Sequence, residues 1–275
     1  MKRESASADG TIAHMSQAET SVFGHINLQF SPPIAHIALS HPPVNVIDLQ
    51  MMDELSSALT QIDAVQAISM IVISGGGKGF STGVDVGAHS PEHVGEMLIK
   101  FHAVVRAVIG SRKITFAVVH GSCLGGAAEL AMVCDIVITT TSATWGFPEI
   151  KLGCFPPVAG AALSALVGQK RAADLILTGR SIGGSEAASI GLATVAVPDD
   201  QLSSAVQEKL MTLSALSPSA LAIAKKAIYS WDAAHVEKGL ARAENIYRSE
   251  LMQCEDAQEG IRAFLEKRPP KWTGR

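Results

Sequence analysis

Two glycine turns and two glutamates are the residues of this sequence best suited to chemistry. The first turn reads Phe80-Ser81-Thr82-Gly83-Val84-Asp85, and the second reads Gly125-Gly126-Ala127-Ala128-Glu129-Leu130. Gly83 permits a backbone shape that aims the Val84 N–H outward. Gly126 stands where a helix begins, so its N–H has no intrahelical partner and the helix dipole adds to its field. Two such donors aimed at one carbonyl oxygen form an oxyanion hole, and losing one typically costs about 3–4 kcal/mol in the transition state. Glu129 lies one turn into an otherwise apolar helix, and Glu149 follows in the apolar setting Trp145-Gly146-Phe147-Pro148-Glu149. Burial raises such carboxyls toward the range suited to proton transfer. Each part alone has a plainer reading, as a turn glycine or as a solvated or cap-paired glutamate. As a set they equip an enzyme for proton chemistry at a carbon beside a carbonyl such as that of a thioester.

Other candidate motifs fail on their own terms. Ser74-Gly75-Gly76-Gly77-Lys78-Gly79 misses G-x-x-x-x-G-K-[ST], because Gly79 follows the lysine, and Phe80 spoils G-x-G-x-x-G. It reads as a turn after a strand. His120-Gly121-Ser122-Cys123-Leu124-Gly125 lacks the first glycine of a hydrolase elbow. The nine histidines show no close ligand spacing, so no metal site is expected.

The elements that must position the chemistry follow from periodicity. Ile34–Leu39 alternates partially, and His41-Pro42-Pro43 breaks the run. Asp48 is placed to cap a helix with Met52, Leu55, Leu59 and Ile62 on its inner face. Met70–Ser74, Thr115–Val119 and Ile136–Thr139 read as buried strands. Ser90-Pro91 predicts a helix start, with Val94, Met97, Leu98, Phe101, Val105 and Val108 facing inward. His89, His93 and His102 read as polar helix-surface residues. Strand, glycine turn, helix and strand recur, which argues for an α/β fold with right-handed crossovers. Residues 1–21 are expected to be a disordered tail, 22–200 the core, and 201–275 a helical region. In that last region Ser217-Pro218 starts one helix, and Asp256 with Glu259 resembles a capping box for the final one, which Pro269 ends. The apolar excess of the late helices fits either a partner subunit or packing on their own core.

The chain has 275 residues, 47% of them hydrophobic, with a net charge of −4 and no basic run. Nucleic acid and anionic membranes are therefore not expected partners. No apolar run approaches a membrane span, and no apolar segment follows Met1–Ser5 as a secretory leader requires. Cys123, Cys134, Cys154 and Cys254 have no C-x-x-C spacing and read as reduced thiols, so a reducing compartment is expected, most simply the cytoplasm.

Across residues 23–272 the sequence resembles the crotonase (enoyl-CoA hydratase/isomerase) superfamily. The likeness rests on Asn45, Gly79–Asp85, Gly125–Asp135, Gly146–Gly153, Leu177–Arg180, Glu186-Ala187, Gly191-Leu192 and Phe264–Arg268. It implies a spiral of β-β-α units with a C-terminal helical trimerisation region, in a homotrimer or a dimer of trimers. It implies acyl-CoA thioester substrates and no cofactor beyond that coenzyme A. Val84 and Gly126 would supply the oxyanion donors, and Glu129 and Glu149 match the two catalytic glutamates of the hydratases. Asn45, Gly83, Asp85, Phe155, Pro157 and Lys267 would contact substrate, with Lys267 reaching the CoA phosphates, those of a neighbouring subunit included. Two departures stand out. Ala127 replaces a glycine common in the helix-opening turn. Gly153-Cys154-Phe155-Pro156-Pro157 replaces the usual Pro-Gly whose glycine N–H lies near the catalytic water, and Pro157 has no N–H. With the Val86–His102 stretch, this segment is similar to the cyclohexa-1,5-diene-1-carbonyl-CoA hydratases of aromatic degradation, which add water 1,4 across a ring dienoyl thioester. Ordinary 2-enoyl-CoA hydratases, double-bond isomerases and a silent CoA-binding scaffold are the alternatives.

Overall fold

The apolar runs of the first half of the chain become the central strands of one sheet. The structure is a computed structural model that describes residues 20–230 and 232–275. Strands β1 (Thr20–Val22), β2 (Ile26–Ser31) and β3 (Ile34–Leu39) form an antiparallel meander. Alternate residues of β2 and β3 are buried, as expected where one sheet face meets the core. Helix α1 (Leu49–Ala64) crosses to β4 (Met70–Gly75), which pairs parallel with β3. Asp48 caps α1, its carboxylate accepting from the Met51 N–H at 2.8 Å. Helix α2 (Val94–Gly110) leads to β5 (Ile114–Val119), again parallel.

From β5 onward consecutive strands part into two sheets. Short β6 (Ser122–Leu124) precedes α3 (Gly126–Met132), and β7 (Ile136–Thr140) precedes β8 (Thr144–Gly146). Helices α4 (Pro157–Val167) and α5 (Gln169–Thr178) lead to β9 (Ser181–Gly183), α6 (Gly184–Ser189) and β10 (Val195–Val197). The main sheet has the order β1-β2-β3-β4-β5-β7-β10, and the small one β6-β8-β9. This is the expected α/β plan of β-β-α turns.

Beyond β10 the described residues are mostly helical: α7 (Leu202–Ser214), α8 (Pro218–Tyr229), α9 (Asp232–Ser249) and α10 (Glu255–Leu265). Leu202, Val206, Leu210 and Leu213 of α7, with Leu221 of α8, pack on a cluster built from Val72, Phe116 and Ile138 of the main sheet. These contacts fold one face of α7 and α8 onto the chain's own core. Met211, Ile223 and Ile228 on the same helices, and Leu216 between them, stay exposed. Self-packing thus accounts for part of the apolar excess and leaves a second apolar face uncovered. Lys225 of α8 is buried, bonded to Asp135 at 2.7 Å and to the Lys113 carbonyl at 2.9 Å. Among the described residues no helix is long and apolar enough to cross a membrane. All four cysteines are free, and only Cys254 is not fully buried.

Three expectations need correction. Thr20 and Ser21 belong to β1 rather than to a tail, while the rest of the expected tail lies outside the described residues. Helix α2 begins at Val94, not at Ser90-Pro91; the Ser90 carbonyl accepts from the His93 and Val94 N–H groups, making a turn ahead of the helix. Asp256 and Glu259 do not form a capping box. Asp256 accepts from the Thr273 and Gly274 N–H groups, and Glu259 from Lys271 N–H and the Arg262 and Arg268 guanidinium groups. They clamp the C-terminal segment, and α10 ends at Leu265, ahead of Pro269.

Asn45 explains how the glycine loop after β4 is held. It is buried with φ of 54°, and its Nδ2 donates to the carbonyls of Gly76 at 2.7 Å and Gly79 at 3.0 Å. Its Oδ1 accepts from the His41 N–H at 3.0 Å. Asn tolerates the left-handed backbone that most residues avoid. Asn45→Ala is expected to lower the unfolding free energy by about 3 kcal/mol, read from urea denaturation. A change below about 1 kcal/mol would remove Asn45 from this structural role.

Candidate active site

The two glycine turns meet. The Gly83 carbonyl accepts from Ile47 N–H at 2.9 Å, and Asp85 N–H donates to the Ile47 carbonyl at 3.0 Å. The Val84 N–H between them therefore faces the opposite side of the strand. Gly83 has φ of 101°, and a Cβ there would stand 2.6 Å from the Leu124 carbonyl and 3.4 Å from the Gly126 nitrogen. Gly126 is the first residue of α3, and a Cβ on it would strike the Val84 side chain at 2.6 Å. Absence of side chains is what lets these backbones approach. Val84 and Gly126 both line one cavity of about 440 Å³.

The two carboxyls enter the same cavity. Glu129 is buried on α3, and its Oε1 accepts from the Ala159 N–H at 2.9 Å. That donor lies in the first turn of α4, whose N-terminal N–H groups have no intrahelical acceptors. Pro157 is the first residue of that helix, a position where a missing N–H costs nothing within the helix. Glu149 rides on a 3-10 turn, Pro148–Leu152, closed by Gly153 in the left-handed region. A Cβ on Gly125 would lie 2.7 Å from Glu149 Oε1, so that glycine makes room for the carboxyl. Glu149 Oε2 is buried and has no hydrogen-bond partner.

Burial raises the Glu129 carboxyl from 4.5 to about 7, against the opposing pull of the Ala159 and Val158 N–H groups. Burial raises Glu149 well above its ordinary range, and the Glu129 charge adds to the effect. The donors on Glu129 favour its charged form, so the pair keeps its proton on Glu149. One base and one acid then stand in a cavity that Val84 and Gly126 also line, an arrangement that can move protons while backbone N–H groups of those turns hold an oxyanion.

Val84, Gly126, Glu129, Glu149, Gly83, Phe155 and Pro157 all line the cavity. Asn45, Asp85 and Lys267 do not. Asn45 is spent on the glycine loop, Asp85 accepts from the Gly87 N–H in the turn that follows it, and Lys267 is exposed. His93 is a surface residue as expected, but His89 and His102 line the cavity. His102 is fully buried, with Nδ1 2.6 Å from Glu244 Oε1, and Arg106 Nη2 bonds that same oxygen at 3.0 Å. This network ties α2 to α9. Its signal was present, since His102 falls at helical spacing from Leu98 and Val105 on the inner face. Arg268, which also lines the cavity, gave no such signal. Among the described residues His25, His41 and Asp48 gather possible metal-ligand atoms, but none of them lines the cavity.

The sequence pattern of the Enoyl-CoA hydratase/isomerase family matches residues 29–275. The chain belongs to that family. It is therefore an enzyme of the crotonase superfamily, as the motifs implied. A probable enoyl-CoA hydratase of Mycobacterium bovis is 36% identical over 242 residues, covering 87% of this chain and 94% of the relative. A cyclohexa-1,5-dienecarbonyl-CoA hydratase of Thauera aromatica is 34% identical over 242 residues, covering 88% and 93%. The crystal structure of an enoyl-CoA hydratase from Mycobacterium avium subsp. paratuberculosis superposes with a TM-score of 0.83 at 25% identity, covering 92% of this chain and 100% of that one.

The folded chain holds more protons than the unfolded one between 4.5 and about 7, because the Glu129 carboxyl titrates higher when folded. Stability contributed by its protonated form is complete below 4.5 and is lost as pH rises through about 7. Glu129→Gln keeps an acceptor for Ala159 and has no such loss. Its stability relative to the wild type is expected to climb across that window in parallel denaturation series. A flat difference would contradict a buried, raised carboxyl.

Proposed function

We propose that this enzyme adds water to a conjugated acyl-CoA thioester. Glu129 takes a proton from water, the oxygen bonds to the conjugated carbon, and the electrons move onto the thioester oxygen. Val84 and Gly126 hold that enolate, and Glu149 delivers a proton to carbon. Transfer of a proton from Glu129 to Glu149 resets the pair. The observation that carries this reading is the pairing of two buried carboxyls with two N–H donors in one cavity.

The favoured substrate is cyclohexa-1,5-diene-1-carbonyl-CoA. Met97, Leu98, Phe101 and Phe155 form an apolar wall suited to a ring, and Pro157 removes a donor from the water side. The Thauera relative supports this substrate, and the Mycobacterium bovis relative supports an ordinary 2-enoyl-CoA equally. Coenzyme A enters as part of the substrate, with no separate cofactor. The exposed apolar residues of α7 and α8 fit a homotrimer or a dimer of trimers. Buried thiols suit a reducing compartment such as the cytoplasm.

Steady-state rates on crotonyl-CoA and on the ring dienoyl-CoA separate the two substrates, and a clear preference for crotonyl-CoA would sink the ring reading. Glu129→Gln and Glu149→Gln are each expected to lower hydration by about 100-fold or more. Unchanged rates would favour a silent CoA-binding protein.

A further inference from the structure

Gly260 stands in the interior of α10, where glycine weakens a helix relative to alanine. Its surroundings supply a reason for it. A Cβ at Gly260 would lie 2.2 Å from the Leu152 carbonyl oxygen and 2.5 Å from the carbonyl carbon. Leu152 ends the 3-10 turn that carries Glu149. The contact is reciprocal, since a Cβ on Gly153, which closes that turn, would lie 2.8 Å from the Asp256 carbonyl oxygen. Asp256 and Gly260 share one face of α10, because residues i and i+4 are neighbours on a helix surface. Two bare glycines thus let the helix and the turn touch backbone to backbone.

The C-terminal segment covers this seat. Trp272 reaches Gly260, its Cη2 3.0 Å from the same Cβ position. Carboxylates of α10 hold the residues on either side of Trp272. Glu259 accepts from the Lys271 N–H at 2.9 Å, and Asp256 from the Thr273 N–H at 2.6 Å. Gly260 itself lines the active-site cavity together with Leu152 and Glu149. Within the turn, the Glu149 carbonyl accepts from the Cys154 N–H and the Ile150 carbonyl from the Gly153 N–H, both at 3.0 Å. These bonds pass a shift at Leu152 on to Glu149. Glu149 Oε2 has no hydrogen-bond partner, so the backbone that carries the side chain, not a bond to that oxygen, sets its place.

We propose that Gly260 is a positioning residue for Glu149. This rests on the hydration reading above, in which Glu149 delivers the proton. The bare face of Gly260 sets how closely the Glu149 turn approaches α10, and so where the carboxyl stands relative to Glu129. Relieving a Cβ contact of 2.2 Å takes a shift of about 1 Å, and misplacement by about 1 Å costs roughly 100-fold in rate.

Gly260→Ala is expected to lower hydration kcat roughly 100-fold with KM for the thioester little changed. That loss is expected to vanish in the Glu149→Gln background, because Gly260 acts only through that carboxyl. Trp272→Ala removes a half-exposed side chain and adds no atom, so it tests the same seat should Gly260→Ala not fold. It frees α10 to recede from the turn and is expected to lower kcat roughly 10-fold, again only where Glu149 is present. Wild-type kcat in a folded Gly260→Ala would overturn the proposal, and so would a full loss repeated on top of Glu149→Gln. Where Gly260→Ala does not fold, wild-type kcat in Trp272→Ala overturns it. A wild type that hydrates neither crotonyl-CoA nor the ring dienoyl-CoA would overturn the hydration reading, and the proposal with it.

Discussion

The hydrogen bond from the Ala159 N–H to Glu129 is the contact on which the site depends. Two carboxyls buried side by side repel one another, and burial alone drives both toward their neutral forms. A pair of neutral acids has no base. The N-terminus of α4 changes this by offering N–H groups to Glu129 alone, so one member of the pair can carry charge while the other keeps its proton. The fold then has two tasks. It must bring α4 to α3, and it must keep Glu149 close without giving it equal donors.

Both tasks are met by backbone rather than by long side chains. Gly125 leaves room for Glu149, and Gly83 and Gly126 let the two turns approach closely. The Gly125-Gly126 turn follows β6 of the small sheet, and isolated bridges join Val84 to Ile47 and Ser81 to Cys123 of β6. The helical region closes the other side. Helix α9 lies on α4, and the Arg106–Glu244–His102 network fastens it to α2. A buried raised carboxyl costs stability near neutral pH, and the surrounding apolar core must offset it.

Local patterns were legible in the sequence, and long-range partnerships were not. Asp48 caps α1 as its spacing suggests, because a cap is a bond across three residues. The buried strands and the carboxyls of Glu129 and Glu149 were visible for the same reason: apolar neighbours lie beside them in the chain. Ser90 misled because the Ser-Pro pair starts a turn as readily as a helix. Asp256 and Glu259 misled because their partners lie in the C-terminal segment, beyond the reach of a helical pattern. His102 shares the inner-face spacing of Leu98 and Val105, but its partner Glu244 lies on a distant helix that no local pattern points to.

The division of charge between the carboxyls is the account's central claim, and infrared difference spectroscopy across a pH titration tests it most directly. Once pH is above the Glu129 value of about 7, the wild type should still show a protonated-carboxyl band that disappears in Glu149→Gln and persists in Glu129→Gln. A band that is absent there, or that disappears only in Glu129→Gln, would contradict the account.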